Sequence, residues 1–146
     1  MILDQHTLVI ADREGEKWVR KASTSAQILT IFDGWITHPF GCTMRNVLAM
    51  VYGEEIQRIY VLVQEKEPTS VLQQMKEAGI SEDVLRTVSY VPHVEGDVAR
   101  WLDGLSSTKD NVKKSVEIIN NHPFMPKQIR AEGWFIDCNG ELYKYN

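Results

Sequence analysis

Three short runs of apolar residues, none of them alternating with polar ones, constrain this chain most. They are His6–Ala11 (HTLVIA), Gln27–Phe32 (QILTIF) and Ile59–Val63 (IYVLV). The first two are followed by turn-forming clusters, Asp12-Arg13-Glu14-Gly15 and Asp33-Gly34. A strand with one face in water reads apolar, polar, apolar; a continuous apolar run of this length reads as a strand covered on both faces. The sequence therefore predicts a mainly parallel sheet with helices packed on each side, a three-layer α/β fold.

The segments between and after these runs carry helical spacing. Thr43–Tyr52 places Met44, Val47, Leu48 and Val51 three and four residues apart, with Gly53 as a stop. Thr69–Ala78 follows Pro68 and ends at Gly79, with Val71, Leu72 and Met75 as its apolar stripe. Ser81 reads as the N-cap of Glu82–Val88. Val94–Leu102 and Asp110–Asn120 are further helices, the second with Val112, Val116 and Ile119 on one face and a Lys113–Glu117 pair across one turn. His122-Pro123 ends it, because the residue before proline avoids the helical region. Gly133–Cys138 and the closing ELYKY run flank Asn139-Gly140, a strong hairpin signal, so the last two strands are expected to be antiparallel neighbours at the edge. No internal repeat or long linker divides the chain, and residues 1–146 are read as one domain.

Composition narrows the function classes. Twenty acidic residues against 16 basic give a net charge of -4, which argues against nucleic acid as the main partner. Two cysteines cannot build a disulfide framework, so a reducing cytoplasm is expected. No apolar stretch approaches the roughly 18 residues of a membrane span, and the N-terminus lacks the basic start and cleavage site of a signal peptide. There is no G-x-x-x-x-G-K-[ST], G-x-G-x-x-G, C-x-x-C or G-x-S-x-G motif. Lys109, Lys113, Lys114, Lys127 and Arg130 read as solvated surface charge, and Trp18, Trp35, Trp101 and Trp134 as core or interface residues.

The stretch Asn111–Leu142 resembles the C-terminal part of β-class carbonic anhydrases. Asn111, Val112, Ser115 and Val116, then His122, Pro123 and Pro126, then Gly133, Trp134 and Asp137, then Gly140 and Leu142 stand in the family's order and spacing. Upstream, Leu8–Asp12, Gln27–Gly34 and Ile59–Val63 match its first three strands by pattern more than by identity. The resemblance implies a parallel sheet with an antiparallel edge strand and a homodimer as the basic unit. The family's N-terminal arm has no counterpart before the first strand, so a dimer interface smaller or differently built is expected.

The resemblance also implies a zinc ion held by Cys, His and Cys, with an open position that ionises water. Here the first cysteine position holds Ile10, in Ile10-Ala11-Asp12-Arg13-Glu14, and the other two align with Gln64 and Glu67. No cysteine precedes Cys42, none lies between Cys42 and Cys138, and between His38 and His122 the one histidine is His93. The loss therefore does not depend on register, and zinc is expected to be absent. Asp12 matches the family's active-site aspartate, but its arginine partner is replaced by Glu14, so a turn or helix-cap role is the plainer expectation. Arg13 would point elsewhere if the segment stayed extended. The family's loop beside the site becomes Ile31-Phe32-Asp33-Gly34-Trp35, with the glycine kept.

Other ligand sets are weaker. His38 and Cys42 are separated by Pro39, which argues against a shared helical face; Gln64, Glu65 and Glu67 would suit hard cations; His93 is read as a loop residue and His122 as part of its turn. Cys138 is read as a small buried hydrophobe and Cys42 as a conceivable reactive thiol. The candidate pocket residues are thus Asp12, Glu14, Gln64 and Glu67. The expected function is that of a carbonic-anhydrase-like protein without its zinc site, inactive in CO2 hydration, serving as a binding or regulatory protein for an unknown small molecule or protein. One alternative is an enzyme with metal-independent chemistry, using Asp12, Glu14, Gln64, Glu65, Lys66 and Glu67 as acid, base or salt-bridged plug. The other is a carbonic anhydrase with an unrecognised zinc site.

Overall fold

The computed structural model describes residues 1–92 and 94–145. Five strands form one sheet: β1 (Thr7–Ala11), β2 (Gln27–Thr30), β3 (Arg58–Gln64), β4 (Ala131–Ile136) and β5 (Leu142–Lys144). Their order is β2-β1-β3-β4-β5, parallel through β4 and antiparallel between β4 and β5. The fold class is the one the apolar runs predict.

Alternate residues of the strands feed two cores. On one face Leu8, Ile10, Ile59, Val61, Val63 and Phe135 meet Met44, Val47 and Val51 of α2 (Cys42–Gly53) and Val112 and Ile119 of α6 (Thr108–Asn120). On the other, Val9, Ala11, Tyr60, Leu62 and Ile136 meet Val19 and Trp18 of α1 (Arg13–Ala22). Fully burying one such aliphatic side chain contributes about 1.5–3 kcal/mol, which makes the central strands the most costly elements to disturb.

Helix α1 is absent from the sequence reading, which has Asp12-Arg13-Glu14-Gly15 as a turn-forming cluster, but the helix-cap role allowed there for Asp12 is the one the structure shows. Asp12 caps it by accepting from the Gly15 N–H at 2.8 Å. Glu14 and Glu16 lie in the first turn, Arg20 and Lys21 in the last, and Arg20 pairs with Glu16 at 2.9 Å. Gly15 and Val19 are its buried residues, too few to give an apolar rhythm. Gly15 lies so close against the Leu62 carbonyl that a Cβ there would collide with it.

The connections β1–α1–β2 and β2–α2–β3 cover opposite faces, so the winding reverses between β1 and β3. In open α/β sheets the crevice at such a reversal, beyond the C-terminal strand ends, is where ligands bind.

Between β3 and α6 run three short helices: α3 (Val71–Glu77), α4 (Glu82–Val88) and α5 (Val98–Asp103). They begin at Ser70, Ser81 and Asp97, whose side chains accept N-terminal N–H groups. α5 starts four residues later than the apolar spacing suggests, and His93 lies outside the described residues. Asp103 ties α5 to α3 by accepting from Val71 N–H at 2.7 Å.

The C-terminal frame is locked by buried and half-buried polar side chains. Ser115 accepts from the Ile36 N–H at 2.9 Å and donates to the Gly34 carbonyl at 2.7 Å. Asn120 accepts from the Ala131 N–H at 2.7 Å and donates to its carbonyl at 3.1 Å. His122 bonds the Pro39 carbonyl through Nε2 at 2.7 Å and accepts from the Phe124 N–H through Nδ1 at 3.1 Å, so the ring closes the turn it sits in.

Three details differ from expectation. In α6 Glu117 pairs with Lys114, at 3.9 Å, rather than with the exposed Lys113. The hairpin loop has three residues between Asp137 and Glu141 rather than two, with Gly140 at φ 80° and Asp137 accepting from the Asn139 and Glu141 N–H groups. Cys138 lies in that loop, beyond the end of β4, and is exposed rather than buried.

Candidate functional site

At the reversal point, the ends of β1 and β3 and the segment after β2 enclose a cavity of about 310 Å³. Asp12 stands at its floor, 4% exposed. One carboxylate oxygen accepts from Gly15 N–H at 2.8 Å and the other from Gln64 N–H at 3.0 Å. The aspartate therefore caps α1 and bridges β1 to β3 at once.

Glu14 and Arg13 line the same cavity, Glu14 also pairing with Lys17 at 3.1 Å. Arg13 reaches it because the chain turns helical at that residue, where an extended segment would have carried it away. Gln64 lines the cavity at the last position of β3, paired with Ile136. Glu67 is exposed and does not line it. Glu65 faces the outer rim, 3.1 Å from Lys109, and accepts from the Tyr143 hydroxyl. That hydroxyl and the lysine hold its carboxyl below the usual range. The cluster expected from the sequence is thus split: Asp12, Glu14, Gln64 and Lys66 converge, and Glu65 and Glu67 do not.

The sequence reading missed Asp33 as a site residue, treating Asp33-Gly34 as a turn. Its side chain is 7% exposed, and its carboxylate lies 3.3 Å from the Lys66 ammonium. The backbone at Asp33 is left-handed, φ 54° and ψ 18°, a conformation Asp and Asn adopt more readily than most residues. Gly34 follows at φ 68°, against Val63, where a side chain would not fit. The available signal was an Asp-Gly step within the loop that replaces a family site segment.

Ile31, Phe32 and Asp33 also wall a second cavity of about 420 Å³, with Trp35, His38, Cys42 and Trp101 on its other sides. Trp35 Nε1 donates to the Trp101 carbonyl at 3.2 Å. These two tryptophans face a cavity instead of the closed core. His38 accepts from the Phe40 N–H through Nδ1 at 3.0 Å and approaches Glu95 at 3.7 Å. It lies before α2, outside the helix that begins at Cys42.

The donor set does not fit a tetrahedral zinc ion. Ile10 is packed in the core, both Asp12 oxygens accept backbone N–H groups, Glu67 lies away from the cavity, and Lys66 brings a cation into it. Among the described residues no three His, Cys, Asp or Glu side chains are grouped to hold a metal.

The sheet order, its antiparallel edge and a cavity at the strand-reversal point define an α/β protein built like a β-carbonic anhydrase. The chain superimposes on β-carbonic anhydrase isoform I of Trichomonas vaginalis with a TM-score of 0.76 and 18% identity, over 97% of this chain and 82% of that one. It superimposes on the apo form of carbon disulfide hydrolase with a TM-score of 0.70 and 20% identity, over 99% and 81% of the two chains. In sequence it is 31% identical over 127 residues to "Putative carbonic anhydrase-like protein YbcF" of Bacillus subtilis (strain 168), covering 81% of this chain and 71% of that protein. Two other Bacillus subtilis relatives are matched over 53% and 56% of their lengths. No family model matches the chain. The chain belongs to the β-carbonic anhydrase family, as a divergent member.

Proposed function

We propose that this protein does not hydrate CO2 through the family's zinc chemistry and serves instead as a binding or regulatory protein. The observation that carries this is the Lys66–Asp33 ion pair in the cavity that also holds Asp12 and Gln64. An ammonium fixed on the chain neutralises a carboxylate and repels a divalent cation, and the adjacent aspartate is engaged by backbone N–H groups. The cavity is open, which leaves room for a small molecule.

A homodimer in the cytoplasm, with a small molecule or protein as partner and neither nucleic acid nor membrane, belongs to the same proposal. The net charge of -4, the family resemblance and the outer edge of β2, which has no neighbouring strand among the described residues, support it. No helix of the described residues is long and apolar enough to cross a membrane.

The test is elemental analysis of protein purified without added metal, with a CO2 hydration assay on the same sample. The expected result is far less than one zinc per chain and hydration no faster than buffer. Stoichiometric zinc together with hydration would overturn the proposal.

A further inference from the structure

The larger cavity has a chemistry of its own. Its volume, about 420 Å³, lies within the range of small-molecule sites, roughly 300–1,000 Å³. Phe32, Trp35 and Trp101 give it aromatic walls, and Phe32 and Trp101 are 60% and 40% exposed. Asp33 and Asp103 line it as carboxylates, and no lysine or arginine is among its described lining residues. Asp103 is engaged by fixed backbone N–H groups at the start of α3, whereas the partner of Asp33 is the half-exposed Lys66 side chain, which a ligand can replace, so Asp33 is taken as the anchor.

The anchor is preorganised. Gly34 holds the loop against Val63, and its carbonyl accepts from buried Ser115. The bond from Trp35 to the Trp101 carbonyl fixes one wall against α5. A fixed carboxylate among aromatic faces is suited to an organic ammonium ion: the carboxylate takes the charged N–H groups, and the rings attract the cation and cover its hydrocarbon.

We propose that this cavity binds an apolar primary ammonium compound, its nitrogen on Asp33 and its body among Phe32, Trp35 and Trp101. Asp33 is shared with Lys66, which lines the smaller cavity. The ligand therefore competes with Lys66 for one carboxylate, and occupancy of the larger cavity is coupled to the ion pair in the smaller one.

The test is titration of tryptophan fluorescence with phenethylammonium, using 2-phenylethanol and 3-phenylpropionate as neutral and anionic counterparts. The ammonium probe is expected to saturate in the millimolar range or below, and its counterparts to bind far more weakly. Asp33→Asn, which tolerates the left-handed backbone, should weaken the ammonium probe about tenfold or more. Trp101→Ala should weaken it too, while Lys66→Met should tighten it by freeing the carboxylate. Equal binding of all three probes, no saturation, or an Asp33→Asn variant that binds as well as the parent would overturn the inference. The zinc measurement above reads out separately, so failure of either proposal is visible without the other.

Discussion

Around α6 and β4, polar side chains answer to the backbone: buried Ser115 bridges Ile36 and Gly34, and half-buried Asn120 pairs with both polar groups of Ala131. At the mouth between β1 and β3, Asp33 and Lys66 answer to each other. The first kind of contact cannot be removed without stranding a main-chain N–H or C=O. The second can be removed as a pair, because each partner is the reason the other needs one. Asp12 stands between the two kinds, since it lies at the mouth but serves the backbone. The contrast explains how the frame can keep its family residues while the mouth diverges.

The sharpest test of this contrast is Ser115→Ala, which strands two buried backbone groups and should cost about 3 kcal/mol in urea unfolding. A loss below about 1 kcal/mol would mean that the frame does not depend on these bonds. Asp12→Ala asks whether a mouth residue can behave like the frame. Loss of the α1 cap and of the acceptor for Gln64 should cost about 2 kcal/mol. Lys66→Met should cost about 1 kcal/mol, tempered by the lysine's partial exposure, and adding Asp33→Asn should recover part of it in a double-mutant cycle. Costs that simply add would contradict the pairing.

The smallest effect concerns the rim. Glu65 is held below its ordinary value of 4.5, first by the Tyr143 hydroxyl and then by Lys109. A lowered carboxyl contributes stability that is present above pH 4.5 and lost as the pH falls through the folded value. Tyr143→Phe should therefore move the Glu65 titration, followed by carboxyl NMR, upward toward 4.5 and reduce this acid-side loss.

The sheet was legible because Leu8–Ala11 and Ile59–Val63 are buried on both faces and must read as unbroken apolar runs. Helix α1 was not, because its exposed face is almost wholly charged and its contact with the sheet rests on Val19, the partly buried Trp18 and a glycine. Its start signals, Asp12 with Glu14 and Glu16, are the same residues a turn would use. At the site, Asp12, Glu14 and Gln64 could be placed from the strand ends, and Lys66 is brought in by its pair with Asp33. Glu65 and Glu67 could not, since the chain leaves the sheet after Gln64 and local direction then follows contacts such as Tyr143 and Lys109. Asp33 was hidden because its importance lies in burial and in a partner 33 positions away, neither of which an Asp-Gly step reveals.

Asp12 joins two strands that lie far apart in the chain, through N–H groups on α1 and β3. The seam between β1 and β3 is thereby stitched at its open end as well as along its ladder. The amides of Gly15 and Gln64 should exchange with solvent deuterium only when the whole sheet opens, while those of α3 and α5 exchange through local fraying. The mouth would then have a stiff floor, so a guest could be admitted without loosening the protein that holds it.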